Sequence, residues 1–239
     1  MICTVISVRK LGKHLGAEIS GVDLSRPLDD GTFAGISDAF FEHQVAFVRD
    51  QKLTPSQQVA FTRRFGELEH HVRKEHRLDG FPEILVVSNV LDERGGAIGV
   101  QDAGRFWHSD LSYMRVPSLL SALYALEVPV QDGVVLGATS FASTSAAYEA
   151  LPDDLQRRLQ GLRNVHSYRY YRARNLQAQK QEQARGARVV QEHTPSEEQL
   201  KSVPDAEVPI VRTHPVTGRK GLFINEAHTA RVLGLPEEE

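Results

Sequence analysis

Apolar residues recur along this chain with two different periods, and the changes between them mark out the elements. In residues 1–28 the β-branched Val5, Ile6, Val8, Ile19 and Val22 are interrupted by Gly12, Gly16 and Gly21, which predicts short strands joined by turns. Asp29 and Asp30 then open a helix that carries Phe33, Ile36, Phe40 and Phe41 at helical spacing to about His43. Residues 45–49 form a short buried strand. Thr54, Pro55 and Gln57 predict a helix start from three agreeing signals: a cap, a proline at the first helical position and a capping box. That helix carries Val59, Phe61 and Phe65 and stops near Gly66.

Residues 69–82 are a polar loop holding His70, His71 and His76, and residues 84–90 are a strand. The glycine-rich, charged residues 92–104 read as a loop of the kind that closes over sites. Residues 118–126, between Pro117 and Pro129, lack a clear period, and their short length favours a buried strand. Residues 137–142 read as a strand entered from a tight turn. Residues 146–162 are helical with a break at Pro152, and residues 165–168 are a strand candidate. The Arg-, Gln- and Ala-rich residues 170–192 predict a solvated helix or lid, and residues 195–204 a polar loop. Two strands, 208–213 and 221–225, flank a hairpin turn at 216–219.

The first chemistry-bearing motif is Trp107, His108, Ser109, Asp110. On extended backbone His108 and Asp110 point to one side and Trp107 and Ser109 to the other. An imidazole and a carboxylate converging on one point are two-thirds of the two-histidine, one-carboxylate set that holds non-haem Fe(II) with an open face. By itself the motif is a weak signal, and a histidine hydrogen-bonded to a neighbouring acid is the simpler reading of it.

Composition narrows the classes. The chain has 239 residues, 41% hydrophobic and 25% charged, with a formal charge of -3, so it offers no electrostatic case for nucleic acid as a partner. Cys3 is the only cysteine, which rules out an intrachain disulfide and fits a cytoplasmic setting. The opening residues do not read as a signal peptide, and the longest apolar stretch, 119–130, contains Glu127 and is too short to span a bilayer, so no membrane is expected.

Four stretches, in order, resemble the taurine/2,4-dichlorophenoxyacetate dioxygenase family from end to end of the chain. They are residues 45–49 with Phe65, Gly66, Glu67 and Leu68; Trp107 to Asp110; residues 137–142 with residues 147–152; and His214 to Arg219 running into Leu222 to Asn225. The resemblance implies a mainly β fold with flanking helices, a double-stranded β-helix (a clavaminate synthase-like jelly-roll), as one domain over residues 1–239 with residues 170–205 as a lid or insertion. It implies Fe(II), 2-oxoglutarate as cosubstrate and O2, with succinate and CO2 as products of hydroxylating a small acidic substrate: a sulfonate, a sulfate ester or an aryloxy acid. His108 and Asp110 match the first two metal ligands and catalytic residues, Thr139 the threonine that binds the far carboxylate of 2-oxoglutarate, and His71 a histidine lining the substrate pocket. The family's pattern there is His-Pro, whereas Val72 follows here. Its taurine enzymes carry an asparagine just before the metal motif, where this chain has Gly104, Arg105 and Phe106, so another small acid is as well supported as taurine.

The family's third ligand, a histidine after a Trp-Asp-Asn-Arg-like stretch, and the following 2-oxoglutarate arginine have no match here. His214 and His228 stand in the wrong place for it. Pro236 and the three acids after it read as a helix start, so the chain is expected to lack its C-terminal strands. The alternative function is therefore a catalytically inactive fragment or binding protein that keeps the fold. A Zn hydrolase built on the same pair has less support, because no His-x-x-x-His accompanies it. The oligomeric state, including a homo-oligomer, stays open.

Overall fold

The computed structural model describes residues 5–70, 73–101, 103–186 and 196–235. It divides into two compact units. The first comprises Met1–Leu85, Ala122–Ala147 and His214–Arg219, and the second Val86–Ser121, Tyr148–Thr213 and Lys220–Glu239.

The first unit opens with β1 (Ser7–Lys10) and β2 (Ala17–Ser20), paired antiparallel, followed by α1 (Asp30–His43) and β3 (Ala46–Val48). β3 pairs parallel with β2. A parallel pair needs a crossover, and α1 supplies it. α1 starts where expected because Asp29 accepts from the Thr32 backbone N–H, and it stops at Gln44, which takes a left-handed conformation. α2 (Pro55–Arg63) begins in the capping box that Thr54 and Gln57 predict. Ile19, Leu24, Ile36 and Ala39 form the buried core, with Phe61 and Phe65 packed against it. Phe33 and Phe65 meet edge to face at 4.8 Å.

The rest of this unit is β4 (Arg77–Leu78) paired with β5 (Phe81–Leu85), then β6 (Val130–Gln131) paired with β7 (Val134–Val135). The β6–β7 hairpin turns on Asp132 and Gly133, at φ 51° and 77°. Asp-Gly is the signature of this turn, since both central residues need positive φ, and it adds a hairpin to those expected.

α3 (Thr144–Glu149) leads into the second unit, which continues with α4 (Asp153–Leu159), β8 (Arg163–His166), α5 (Tyr168–Ala184), α6 (Glu197–Lys201), β9 (Ala206–Pro209), β10 (Val211–Thr213), β11 (Lys220–Leu222) and β12 (Thr229–Leu233). One antiparallel sheet has the order β12-β8-β9, and β10 pairs with β11. The strand expected over residues 208–213 is split in two. Pro209 has no N–H to offer, and at Ile210 the chain bonds elsewhere, donating to Leu162 O and accepting from Phe223 N–H.

Four further expectations need correction. The strand over 84–90 ends at Leu85, leaving a single bridge from Val87 to Val100. That bridge requires a glycine at 99, where a Cβ would lie 2.8 Å from Val86 O. Residues 118–126 and 137–142 are not strands: Leu123, Leu126 and Phe141 are exposed, and among the described residues nothing pairs with their backbone. The polar loop at 195–204 contains α6, capped by Ser196 and Gln199, a capping box visible in the sequence. β12 is likewise missing from the sequence reading, although its Thr-Ala-Arg-Val-Leu alternates.

Candidate metal centre

Residues 107–109 have no regular structure and residues 110–113 form a turn, so His108 and Asp110 are not on the extended strand that the alternation argument assumes. They converge nevertheless. The turn runs through Leu111 at φ 51°, a left-handed conformation that a side chain disfavours by about 1–2 kcal/mol. His108 Nε2 lies 3.3 Å from Asp110 Oδ1. His108 Nδ1 donates to the Phe106 carbonyl at 2.8 Å, and the second Asp110 oxygen accepts from Ser121 Oγ at 2.5 Å. The hydrogen bond to Asp110 raises the His108 pKa, against the lowering effect of burial.

These donors suit a divalent cation. Two ligands ~2.1 Å from one ion at adjacent octahedral corners lie about 3.0 Å apart, close to the observed separation. The Phe106 carbonyl keeps a proton on the far imidazole nitrogen, so that Nε2, once it gives up the proton it shares with Asp110, turns its lone pair to a cation. The hydroxyl on the second carboxylate oxygen fixes that side chain, and both are the usual supports of ligating residues. Among the described residues no group of three His, Cys, Asp or Glu side chains comes together to hold an ion.

Behind this pair lies a buried polar cluster that the motif search did not find. Ser112 and His166 are fully buried and His228 is 4% exposed. The His228 ring stands 6.3 Å from that of His108 and 5.0 Å from both Tyr113 and Tyr171. Burial, then the nearby His108 and His166, push the His228 pKa down to about 3, and burial lowers that of His166. Asn225 was the available signal: an asparagine whose side chain can accept from the N–H three residues on marks a local turn, and here it accepts from His228 N–H at 2.8 Å.

α5, read from the sequence as a solvated helix or lid, holds the approach to the motif from within the same unit. Arg105 pairs with Glu182 at 2.5 Å, and the Arg174 guanidinium lies 4.6 Å from the Phe106 ring centre. Thr139 is exposed in an irregular stretch of the first unit, whereas His108 and Asp110 belong to the second. His71 lies outside the described residues. His214 packs its ring against Phe41 at 5.7 Å in the first unit. No helix of the described residues is long and apolar enough to cross a membrane.

Known proteins give this arrangement its context. The model of the family described as "Taurine catabolism dioxygenase TauD, TfdA family" matches residues 7–239. Pentalenolactone F synthase of Streptomyces avermitilis is 34% identical over 234 residues, covering 94% of this chain and 72% of its own. The alpha-ketoglutarate-dependent 2,4-dichlorophenoxyacetate dioxygenase of Cupriavidus pinatubonensis is 35% identical over 236 residues, covering 93% and 74%. The crystal structure titled as a putative alpha-ketoglutarate-dependent taurine dioxygenase from Burkholderia xenovorans superposes with a TM-score of 0.68 at 26% identity, covering 98% of this chain and 68% of that one. Its fold is thus that of the taurine dioxygenase-type enzymes, strands with flanking helices, and the chain belongs to the TauD/TfdA family of 2-oxoglutarate-dependent dioxygenases.

Proposed function

We propose that this chain carries the first two ligands of an Fe(II) site, His108 and Asp110, and that it hydroxylates a small acidic organic substrate at the expense of 2-oxoglutarate and O2. The carrying observation is the 3.3 Å approach of His108 Nε2 to Asp110 Oδ1, with each side chain held from behind. Iron with bound 2-oxoglutarate supplies the oxidative decarboxylation and the hydroxylation chemistry. The chain's own residues orient and exclude. His108 offers Nε2 because its Nδ1 proton is given to the Phe106 carbonyl. Asp110 offers one oxygen because Ser121 occupies the other. Trp107, 55% exposed beside the pair, supplies apolar surface for an organic substrate. Thr139 is the proposed anchor for the far carboxylate of 2-oxoglutarate and His71 a substrate contact, both from the family pattern. The double-stranded β-helix of the family is the proposed architecture. An aryloxy acid, a sulfonate or a sulfate ester is the proposed substrate class, the first in keeping with the name of the Cupriavidus relative.

A second reading is a chain that keeps the fold and binds without turnover. It is favoured by the absence, among the described residues, of a third converging ligand. Succinate formation from 2-oxoglutarate with Fe(II), ascorbate and O2 separates the two, measured across a panel of aryloxy acids, sulfonates and sulfate esters. The same assay is run on a chain extended to the full length of its relatives. Substrate-dependent succinate that Asp110→Asn abolishes is the expected result. Metal binding with no turnover in either chain supports the second reading instead.

A further inference from the structure

The segment that carries His108 and Asp110 is pinned at both ends by one other turn, residues 225–229. At one end the Ala227 N–H donates to the Trp107 carbonyl at 3.2 Å. At the other, Ser112 Oγ accepts from Asn225 Nδ2 at 3.2 Å and stands 3.2 Å from His228 Nδ1. The Ser112 carbonyl lies 3.1 Å from His166 Nδ1, and His166 Nε2 lies 3.2 Å from Thr229 Oγ1. Thr229 Oγ1 also accepts from Asn225 N–H at 3.0 Å. All these residues lie in the second unit.

The donors and acceptors close into a circuit whose direction is fixed at His166. The Ser112 carbonyl can only accept, so His166 carries its proton on Nδ1 and receives the Thr229 hydroxyl proton at Nε2. Ser112 Oγ receives an amide proton from Asn225 and in one arrangement gives its own to His228 Nδ1, the alternative being a His228 Nδ1 proton given to the same hydroxyl. In the first arrangement His228 is neutral with its proton on Nε2. An imidazole whose Nδ1 lone pair is used and whose Nε2 is protonated has no lone pair left for a metal. In that first arrangement His228 has no free lone pair for a metal, although its ring packs against His108.

We propose that Ser112 and His228, locked by Asn225, are positioning residues that hold the Leu111 turn and so keep His108 and Asp110 convergent. This rests on the metal-site reading above. The circuit compensates for the left-handed Leu111, which would otherwise relax and let Asp110 swing from His108.

The test uses Co(II) alone as the probe, with affinity read by calorimetry and ligand geometry by the visible spectrum. Ser112→Ala and His228→Phe, the second keeping an aromatic ring in place, are expected to weaken Co(II) binding by about 10-fold or more, the range seen when supports of metal ligands are removed. His228→Asn, whose amide oxygen can occupy the Nδ1 position, is expected to recover most of that loss and the native spectrum. Binding by Ser112→Ala and His228→Phe equal to the unmodified chain, with His108→Ala unable to bind, overturns the positioning role and leaves the metal site standing. Unchanged binding by His108→Ala overturns the metal site itself. NMR of isotopically labelled histidine nitrogens in the unmodified chain needs no variant to fold. It should find the His166 proton on Nδ1, facing the Ser112 carbonyl, and a His166 proton on Nε2 would break the circuit.

Discussion

The core cluster of the first unit is wholly apolar, whereas the second unit sets a hydrogen-bonded polar cluster among its buried apolar side chains. Around Ile19, Leu24, Ile36 and Ala39 the first unit buries apolar side chains, with Phe33, Phe61 and Phe65 meeting edge to face. The second unit buries apolar side chains too, Tyr113, Val165, Val208 and Ile210 among them, but sets Ser112, Asn164, His166, Asn175 and His228 between them and gives these hydrogen bonds or aromatic neighbours. Apolar burial is non-directional and scales with area. A buried polar group must find a partner at the right angle or lose the full cost of its desolvation. A site that must hold two ligands a fixed distance apart gains from the second kind of core, because hydrogen bonds specify orientation where hydrophobic contact specifies only proximity.

The contrast can be broken hardest in the first unit. Ile36→Ala removes a side chain that is 3% exposed and should cost about 2–5 kcal/mol, read from the denaturant midpoint. Ile36→Val, which keeps most of the volume, should cost about 0.5–1.5 kcal/mol. In the second unit His166→Phe retains a ring against Phe223 but strips partners from the Ser112 carbonyl and the Thr229 hydroxyl. It should cost about 1–3 kcal/mol, the desolvation of groups left unpaired. Should it prove neutral, the second core is apolar in effect and the distinction collapses.

Acid sharpens the same difference. His166 has a depressed pKa in the folded chain, so the native state resists a proton that the unfolded chain accepts below about 6.5. Its contribution is fully present above that pH and is lost as the pH falls. The slope is at most about 1.4 kcal/mol per pH unit. Denaturation at stepped pH should show this slope in the unmodified chain and a shallower one in His166→Phe; identical slopes would mean that His166 takes its proton as readily folded as unfolded. At the surface of the first unit the effect is as small as that of Ile36→Val: Thr54→Ala should cost about 1 kcal/mol by removing the cap of α2.

How much could be read in advance follows the same division. α1 and α2 begin at the residues expected, because Asp29, Thr54, Pro55 and Gln57 act within a few positions of the backbone they cap. The apolar stretches 118–126 and 137–142 misled, because apolar content reports only a tendency to be buried, while strand formation needs a paired backbone alongside. His108 and Asp110 were legible as a pair from their spacing. The reason they meet was not, since it lies in a left-handed turn at Leu111 rather than in strand alternation. Ser112 and Asn225 were invisible as partners: a serine and an asparagine 113 residues apart share no local signature.

Local chemistry thus determined the caps, the two helices they start, the parallel crossover they allow, and the identity of the imidazole and carboxylate that face each other. Only the tertiary structure decided that a turn at residues 225–229 closes on both ends of the segment that carries His108 and Asp110. The physical reason is range. A cap or a helical stripe is settled within one or two turns of chain, whereas a hydrogen-bond circuit exists only once the fold has brought distant donors and acceptors within about 3 Å of one another.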